Sequence, residues 1–194
     1  MIVLASKSAS RQVMLRNAGV AFEAVPADID ERAAEAQFAD GGPAEIVRGL
    51  AEEKALAVAK DHPGRLVLGS DSLVTVEGRR FDKPETLEAA AAHLRFFSGR
   101  QMELHSAASL VRDDERLWCH HEVAVLLVRH LSDEFIHSYL DAEWPEVGQC
   151  VGVFRIEGRG AQLFETISGD MFTVLGMPLL SVLGALRDQG ELPV

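Results

Sequence analysis

Apolar and polar positions alternate along this chain in short blocks that change period many times. Ile2 to Ala5 is a short apolar run suited to a buried strand, and Ser6-Lys7-Ser8-Ala9-Ser10-Arg11 interrupts it before a helical pattern carrying Val13, Met14 and Leu15. Ser8 is placed to cap that helix, and Gly19 suits the position just past its end. Phe22 to Val25 predicts a second strand, with Asp28 to Glu31 after it as an acidic loop. From Pro43 to about Lys60 the spacing of Val47, Leu50, Ala51, Lys54, Ala55 and Val58 predicts a long helix with one apolar stripe.

Leu66, Val67 and Leu68 predict a strand that ends near Gly69-Ser70-Asp71. Leu73 to Val76, a turn at Glu77-Gly78 and a return to Asp82-Lys83-Pro84 predict a β-hairpin able to carry Lys83 back towards Asp71. A helix over Glu85 to Phe97 follows, then strands over Met102 to Val111 and Leu117 to Val128. Ser132 caps a further helix, Val153 to Ile156 and Gln162 to Ile167 are expected strands, and a last helix runs from Pro178 to about Arg187. Strands and helices interleave without strict alternation, so the expected class is mixed α/β.

At 194 residues, 47% apolar and 25% charged, the chain can fill one core with up to two lobes around it, and it is read as one domain over residues 1–194. Its 19 basic and 30 acidic residues leave a net charge of −11, which argues against nucleic acid or an anionic membrane as partner. An anionic substrate would need a locally basic pocket. No secretory signal or membrane-length apolar run is read in the sequence, and a cytoplasmic location is expected. Cys119 and Cys150 stand far apart in unlike contexts and are expected to be buried thiols.

Asp71 is the first candidate for chemistry, because a carboxylate at the end of a buried strand needs a cation, donor or metal. Its other reading is a turn cap. The serine-rich loop at residues 6–11 is either an anion cradle at a helix N-terminus or a simple cap. Lys54 lies on an apolar stripe, where it either enters a site or extends to solvent along its stem. Cys119-His120-His121-Glu122 invites a metal, yet neighbouring strand residues face opposite ways and no second ligand pair has zinc-like spacing. Walker-type, dinucleotide-binding and serine-hydrolase motifs are absent from the sequence.

Seven short segments occur in one order: Leu4 to Arg11, Asp28 to Glu31, Glu53-Lys54-Ala55, Gly69 to Ser72, Asp82-Lys83-Pro84, Leu94 to Gly99 and Gly176-Met177-Pro178. That order resembles the Maf family of nucleoside triphosphate pyrophosphatases over nearly the whole chain. The resemblance implies an elongated, inosine-triphosphatase-like α/β fold whose two lobes flank a nucleotide cleft, often as a homodimer. It implies hydrolysis of a nucleoside triphosphate to the monophosphate and pyrophosphate with a divalent cation, Mg²⁺ or alternatively Mn²⁺ or Co²⁺. Asp71 matches the proton acceptor, and Ser6, Ser8, Arg11, Glu31, Lys54 and Lys83 match the phosphate and metal shell, with Glu31 and Asp71 as metal ligands.

Three departures bear on specificity. Pyrimidine-selective members carry arginine, threonine and glutamine where this chain has Ser10, Ser72 and Glu157. The branch acting on 7-methylguanosine triphosphate is similar at Cys150, Glu157-Gly158 and Gln162 to Glu165, though it has tryptophan where Ser10 stands. A carboxylate at 157 would accept from N1–H and the amino group of guanine; its bland reading is a strand-end surface residue. A 7-methyl-GTP-type substrate is therefore expected. A dTTP or UTP pyrophosphatase, and a nucleotide-binding regulator of cell division without turnover, are the alternatives.

Overall fold

A computed structural model describes residues 1–193. Seven strands form a mixed sheet, flanked by helices, and the chain divides into two units. The first unit contains residues 1–72, 105–122 and 170–194; the second contains 73–104 and 123–169. β3 (Leu66–Val76), β5 (Gln101–Arg112) and β6 (Glu115–Val128) contribute residues to both.

In the first unit β1 (Ile2–Leu4) pairs in parallel with β2 (Phe22–Ala24) on one side and β3 on the other. Alternation along β3 sends Leu66 and Leu68 into a cluster with Ile2, Leu4, Met14, Leu15, Met177 and Val182. Val67, on the opposite face, joins Val3, Ala5, Ala55, Val58 and Ala59. The first cluster is covered by α1 (Ala9–Asn17) and α7 (Leu179–Asp188), the second by α3 (Gly42–Ala59). Local signals set these helices as expected: Ser8 caps α1, Pro43 stands in the first turn of α3, and Gly19, at φ +73°, takes the left-handed position after α1.

Gly69 does not end the strand. β3 runs on for 11 residues, so Asp71 lies mid-strand rather than at a strand end. A Cβ on Gly69 would stand 2.0 Å from the Ala51 carbonyl oxygen and 2.9 Å from the Ala55 nitrogen, so this glycine lets α3 lie directly on the strand. Lys54 is between those two contact points in sequence, and Asp71 is two residues beyond Gly69 on the same strand face. The close approach thus brings the ammonium to the carboxylate.

One further expectation is corrected in this unit, and one element is new. The acidic stretch at residues 28–31 is not all loop: Asp30 accepts from the Ala33 N–H at 3.0 Å and caps α2 (Glu31–Ala36). After Gly169, Asp170 caps a short helix unforeseen in the sequence, α6 (Met171–Val174), by accepting from the Phe172 N–H.

In the second unit β4 (Arg79–Phe81) pairs antiparallel with the end of β3 through the Glu77-Gly78 turn. Both turn residues have positive φ, as a two-residue hairpin of this hand requires. α4 (Leu87–Phe97) begins two residues later than expected because Thr86 caps it. Phe81 packs edge-on against Phe97 and His93. α5 (Asp133–Glu143) starts at its Ser132 cap, and β7 (Phe164–Ser168) pairs with β6. The strand expected over Val153 to Ile156 does not form: Val153 has φ +57° and its carbonyl accepts from Tyr139 Oη at 3.0 Å, which turns the chain out of extended conformation. Glu157 accordingly sits exposed in a turn, not at a strand end.

Candidate active site

The first unit gathers eight of the candidate residues: Ser6, Ser8, Ser10, Arg11, Glu31, Lys54, Asp71 and Ser72. Two of their elements meet side by side. β1 pairs with β3, and the Ala5 N–H extends that pairing by donating to the Leu68 carbonyl at 2.8 Å. Immediately beyond, Ser6 is buried, its Oγ accepting from the Ser8 N–H at 3.2 Å and from Arg11 Nη1 at 3.4 Å. Ser8 Oγ in turn accepts from the Arg11 N–H at 3.4 Å. The serine loop therefore caps α1 and also holds the Arg11 side chain.

Lys54 does not reach out to solvent. It is only 8% exposed, and its Nζ lies 2.6 Å from Asp71 Oδ1 and 2.8 Å from Glu31 Oε1. Asp71 is equally enclosed, while the Glu31 side chain is 59% exposed. One ammonium thus serves a buried and an open carboxylate. Burial lowers the Arg11 pKa from its ordinary value, and the charges of Asp71 and Glu31 oppose that shift. The guanidinium accordingly belongs to the same electrostatic group: two cations and two carboxylates drawn from α1, α2, α3 and β3.

Arg11 is fixed from behind. Its Nε donates to the Gly176 carbonyl at 2.9 Å and its Nη2 to Ser72 Oγ at 2.9 Å. Ser72 donates to the same carbonyl at 2.9 Å, and Ser10 donates to the Leu175 carbonyl at 3.0 Å. Ser106, which sequence reading missed, lies 3.1 Å from Ser72 Oγ and donates to the Thr173 carbonyl at 2.9 Å. No sequence pattern signals a backbone carbonyl as a partner, and a serine inside an apolar strand gives only the hint of an unexplained hydroxyl.

The remaining candidates, Lys83 and Glu157, belong to the second unit and are both exposed. Each acts electrostatically on the Cys150 thiol, whose pKa burial raises, as does Glu157, while Lys83 and Arg155 lower it. Arg155 is itself held by the buried Glu143 at 3.1 Å. Cys119 and Cys150 are both free thiols of intermediate burial.

Among the described residues no group of three or more His, Cys, Asp or Glu side chains is arranged to hold an ion. His121 instead stacks on His105, with Nε2 3.2 Å from His105 Nδ1, and Glu122 accepts from Thr173 and Ser181. Burial, then the charges of His105, Arg48 and His120, push the His121 pKa from 6.5 down to about 4. The folded state therefore disfavours a proton that the unfolded chain accepts, and His121 costs stability as the pH falls from about 6.5 towards 4. His121→Gln should flatten that part of the pH dependence, read as the drop in urea midpoint between pH 7 and pH 4.5; an unchanged drop would place the acid sensitivity elsewhere.

A serine loop at a helix start, an immobilised arginine and a lysine shared by two carboxylates thus come together in one unit of an α/β protein. The Maf-like protein family model matches residues 1–189, and the chain belongs to the Maf family. Among curated relatives, a nucleoside triphosphate pyrophosphatase of Rhodopseudomonas palustris (strain HaA2) is 46% identical over 97% of this chain and 93% of its own. A 7-methyl-GTP pyrophosphatase of Mesorhizobium japonicum is also 46% identical, over 98% of this chain and 97% of its own. A solved HAM1 protein from Coxiella burnetii matches at a TM-score of 0.40 and 20% identity, covering 66% of this chain and 72% of that one, too distant to add to the assignment.

Proposed function

We propose that this protein is a nucleoside triphosphate pyrophosphatase, cleaving between the α and β phosphates to release the monophosphate and pyrophosphate. The carrying observation is the buried Asp71 carboxylate held by Lys54 in the same electrostatic group as Arg11. Hydrolysis of this bond asks for neutralised phosphate oxygens, an in-line substrate and an oriented water. Asp71 takes the proton of the water as its oxygen attacks the α-phosphorus; the bridging bond to the β-phosphate breaks and its electron pair leaves with pyrophosphate. Arg11 and Lys54 offset the charge of the phosphate oxygens, with Ser6 and Ser8 ordering the loop beneath them.

A divalent cation, Mg²⁺ above all, belongs to this reading. The donor set fits an ion delivered with substrate: Asp71 and Glu31 converge on one point, now taken by the Lys54 ammonium, and Mg²⁺ sites typically combine one or two carboxylates with phosphate oxygens and water. When bound, such an ion would draw charge from the phosphate oxygens. Lys83 is proposed as a further phosphate ligand and Glu157 as the group that accepts from guanine, favouring 7-methyl-GTP over dTTP and UTP. We further propose a cytoplasmic enzyme working as a homodimer. No helix among the described residues is long and apolar enough to cross a membrane.

The test is pyrophosphate release with Mg²⁺ from 7-methyl-GTP, GTP, dTTP, UTP, CTP and ITP. A rate on 7-methyl-GTP at least tenfold above the rest is expected. A preference for dTTP or UTP would keep the reaction and remove the Glu157 argument, whereas inactivity on all six by folded protein would favour a nucleotide-binding regulator.

A further inference from the structure

Ser72 and its neighbours form a hydrogen-bond system whose capacity can be counted. A serine hydroxyl has one proton to give and two lone pairs to offer. Ser72 gives its proton to the Gly176 carbonyl at 2.9 Å, accepts from Arg11 Nη2 at 2.9 Å, and meets the Ser106 hydroxyl at 3.1 Å. All three valences are engaged inside the protein, leaving none for a nucleobase. Ser106, fully buried, shares its proton between Ser72 Oγ and the Thr173 carbonyl, so the chain of hydroxyls is anchored at its far end on α6.

Arg11 is the group this system serves. Of its five N–H donors, one on Nε goes to Gly176, one on Nη2 to Ser72, and one on Nη1 to Ser6 at the longer distance of 3.4 Å. Two donors remain, one on each terminal nitrogen, which is the number needed to grip two oxygens of one phosphate. Gly176 makes the arrangement possible: it has φ +101°, and a Cβ there would come within 3.2 Å of Ser72 Oγ.

Resting on the pyrophosphatase reading, we infer that Ser72 and Ser106 are positioning residues that fix the Arg11 fork for phosphate through the Gly176 carbonyl, and that Ser72 does not read the base. Ser10, by donating to the adjacent Leu175 carbonyl, pins the same turn after α6. The identity of the base then affects neither the Ser72 contacts nor their loss.

The experiment compares Ser72→Ala and Ser72→Thr, each with Arg11 intact and with Arg11→Ala, after thermal unfolding has established that every variant is folded at the assay temperature. Binding of inorganic tripolyphosphate is measured by calorimetry, and kcat/KM on 7-methyl-GTP, GTP, dTTP and UTP. Ser72→Ala should weaken tripolyphosphate binding about tenfold and lower kcat/KM by a similar factor on every nucleotide. In the Arg11→Ala protein the same change should cost almost nothing further, because the two residues act as one unit. Ser72→Thr, which keeps the hydroxyl, should restore binding without reordering the panel. A loss confined to some bases, a shift of Ser72→Thr towards dTTP and UTP, or a full loss without Arg11 would overturn the inference. Should wild-type protein turn over no nucleotide, the pyrophosphatase reading falls while tripolyphosphate binding still decides this one: an Arg11-dependent Ser72 effect upholds it, and absent or Ser72-independent binding overturns it.

Discussion

Asp71→Asn is expected to reduce pyrophosphate release by about 10³-fold, within the range for loss of a positioned general base, while triphosphate still binds. The amide keeps the size of the carboxylate but cannot accept a proton from water at neutral pH. Arg11 is held independently of Asp71, by the Gly176 carbonyl, Ser72 and Ser6, so the phosphate grip should survive. Single-turnover kinetics beside equilibrium binding separate these quantities. Equal losses in binding and turnover would assign Asp71 to holding substrate or its metal; an unaffected rate would remove Asp71 from the chemistry.

Lys54→Met is the second large expectation, and its effect falls on stability as well as activity. The methionine fills a similar volume, yet it leaves a carboxylate that is 8% exposed without the ammonium 2.6 Å away. Removing one partner of a buried pair typically costs about 3–5 kcal/mol, and the nearby Arg11 charge places the expectation at the lower end, about 3 kcal/mol. In a chain of this size that is about 6–12 °C in Tm. The mechanism predicts non-additivity: in the Asp71→Asn background, where no buried charge needs compensating, Lys54→Met should cost less than half as much. Denaturant unfolding of the four proteins completes the cycle. Additive losses would mean that Lys54 stabilises the fold through its packed stem rather than its charge.

Much of the candidate site could be read from residue types and spacing because its parts sit at element boundaries or break a local pattern. A serine before an apolar helical run, a lysine on an apolar stripe and an aspartate after Leu66-Val67-Leu68 each depart from what their surroundings favour. Gly69 was legible as an interruption but not as what it is. A glycine that ends a strand and one that admits a helix onto it look alike in one dimension, and only the position of the Ala51 carbonyl separates them. Val153 misled in the opposite way. Its β-branched neighbourhood favours a strand, and the Tyr139 hydroxyl drawn to its carbonyl overrode that preference.

The sequence by itself determined the local grammar of this protein: the caps at Ser8 and Ser132, the left-handed glycine after α1, the Glu77-Gly78 hairpin and the buried stripe of α3. Those features depend on residues within one or two turns of each other, so backbone sterics and hydrophobic periodicity suffice to specify them. Tertiary structure alone decided that Lys54 serves two carboxylates and that Arg11 takes its orientation from a carbonyl 165 residues away. Such pairings are set by how closely packed elements approach, and a backbone carbonyl looks the same in every residue, so nothing in the order of side chains announces which one will accept.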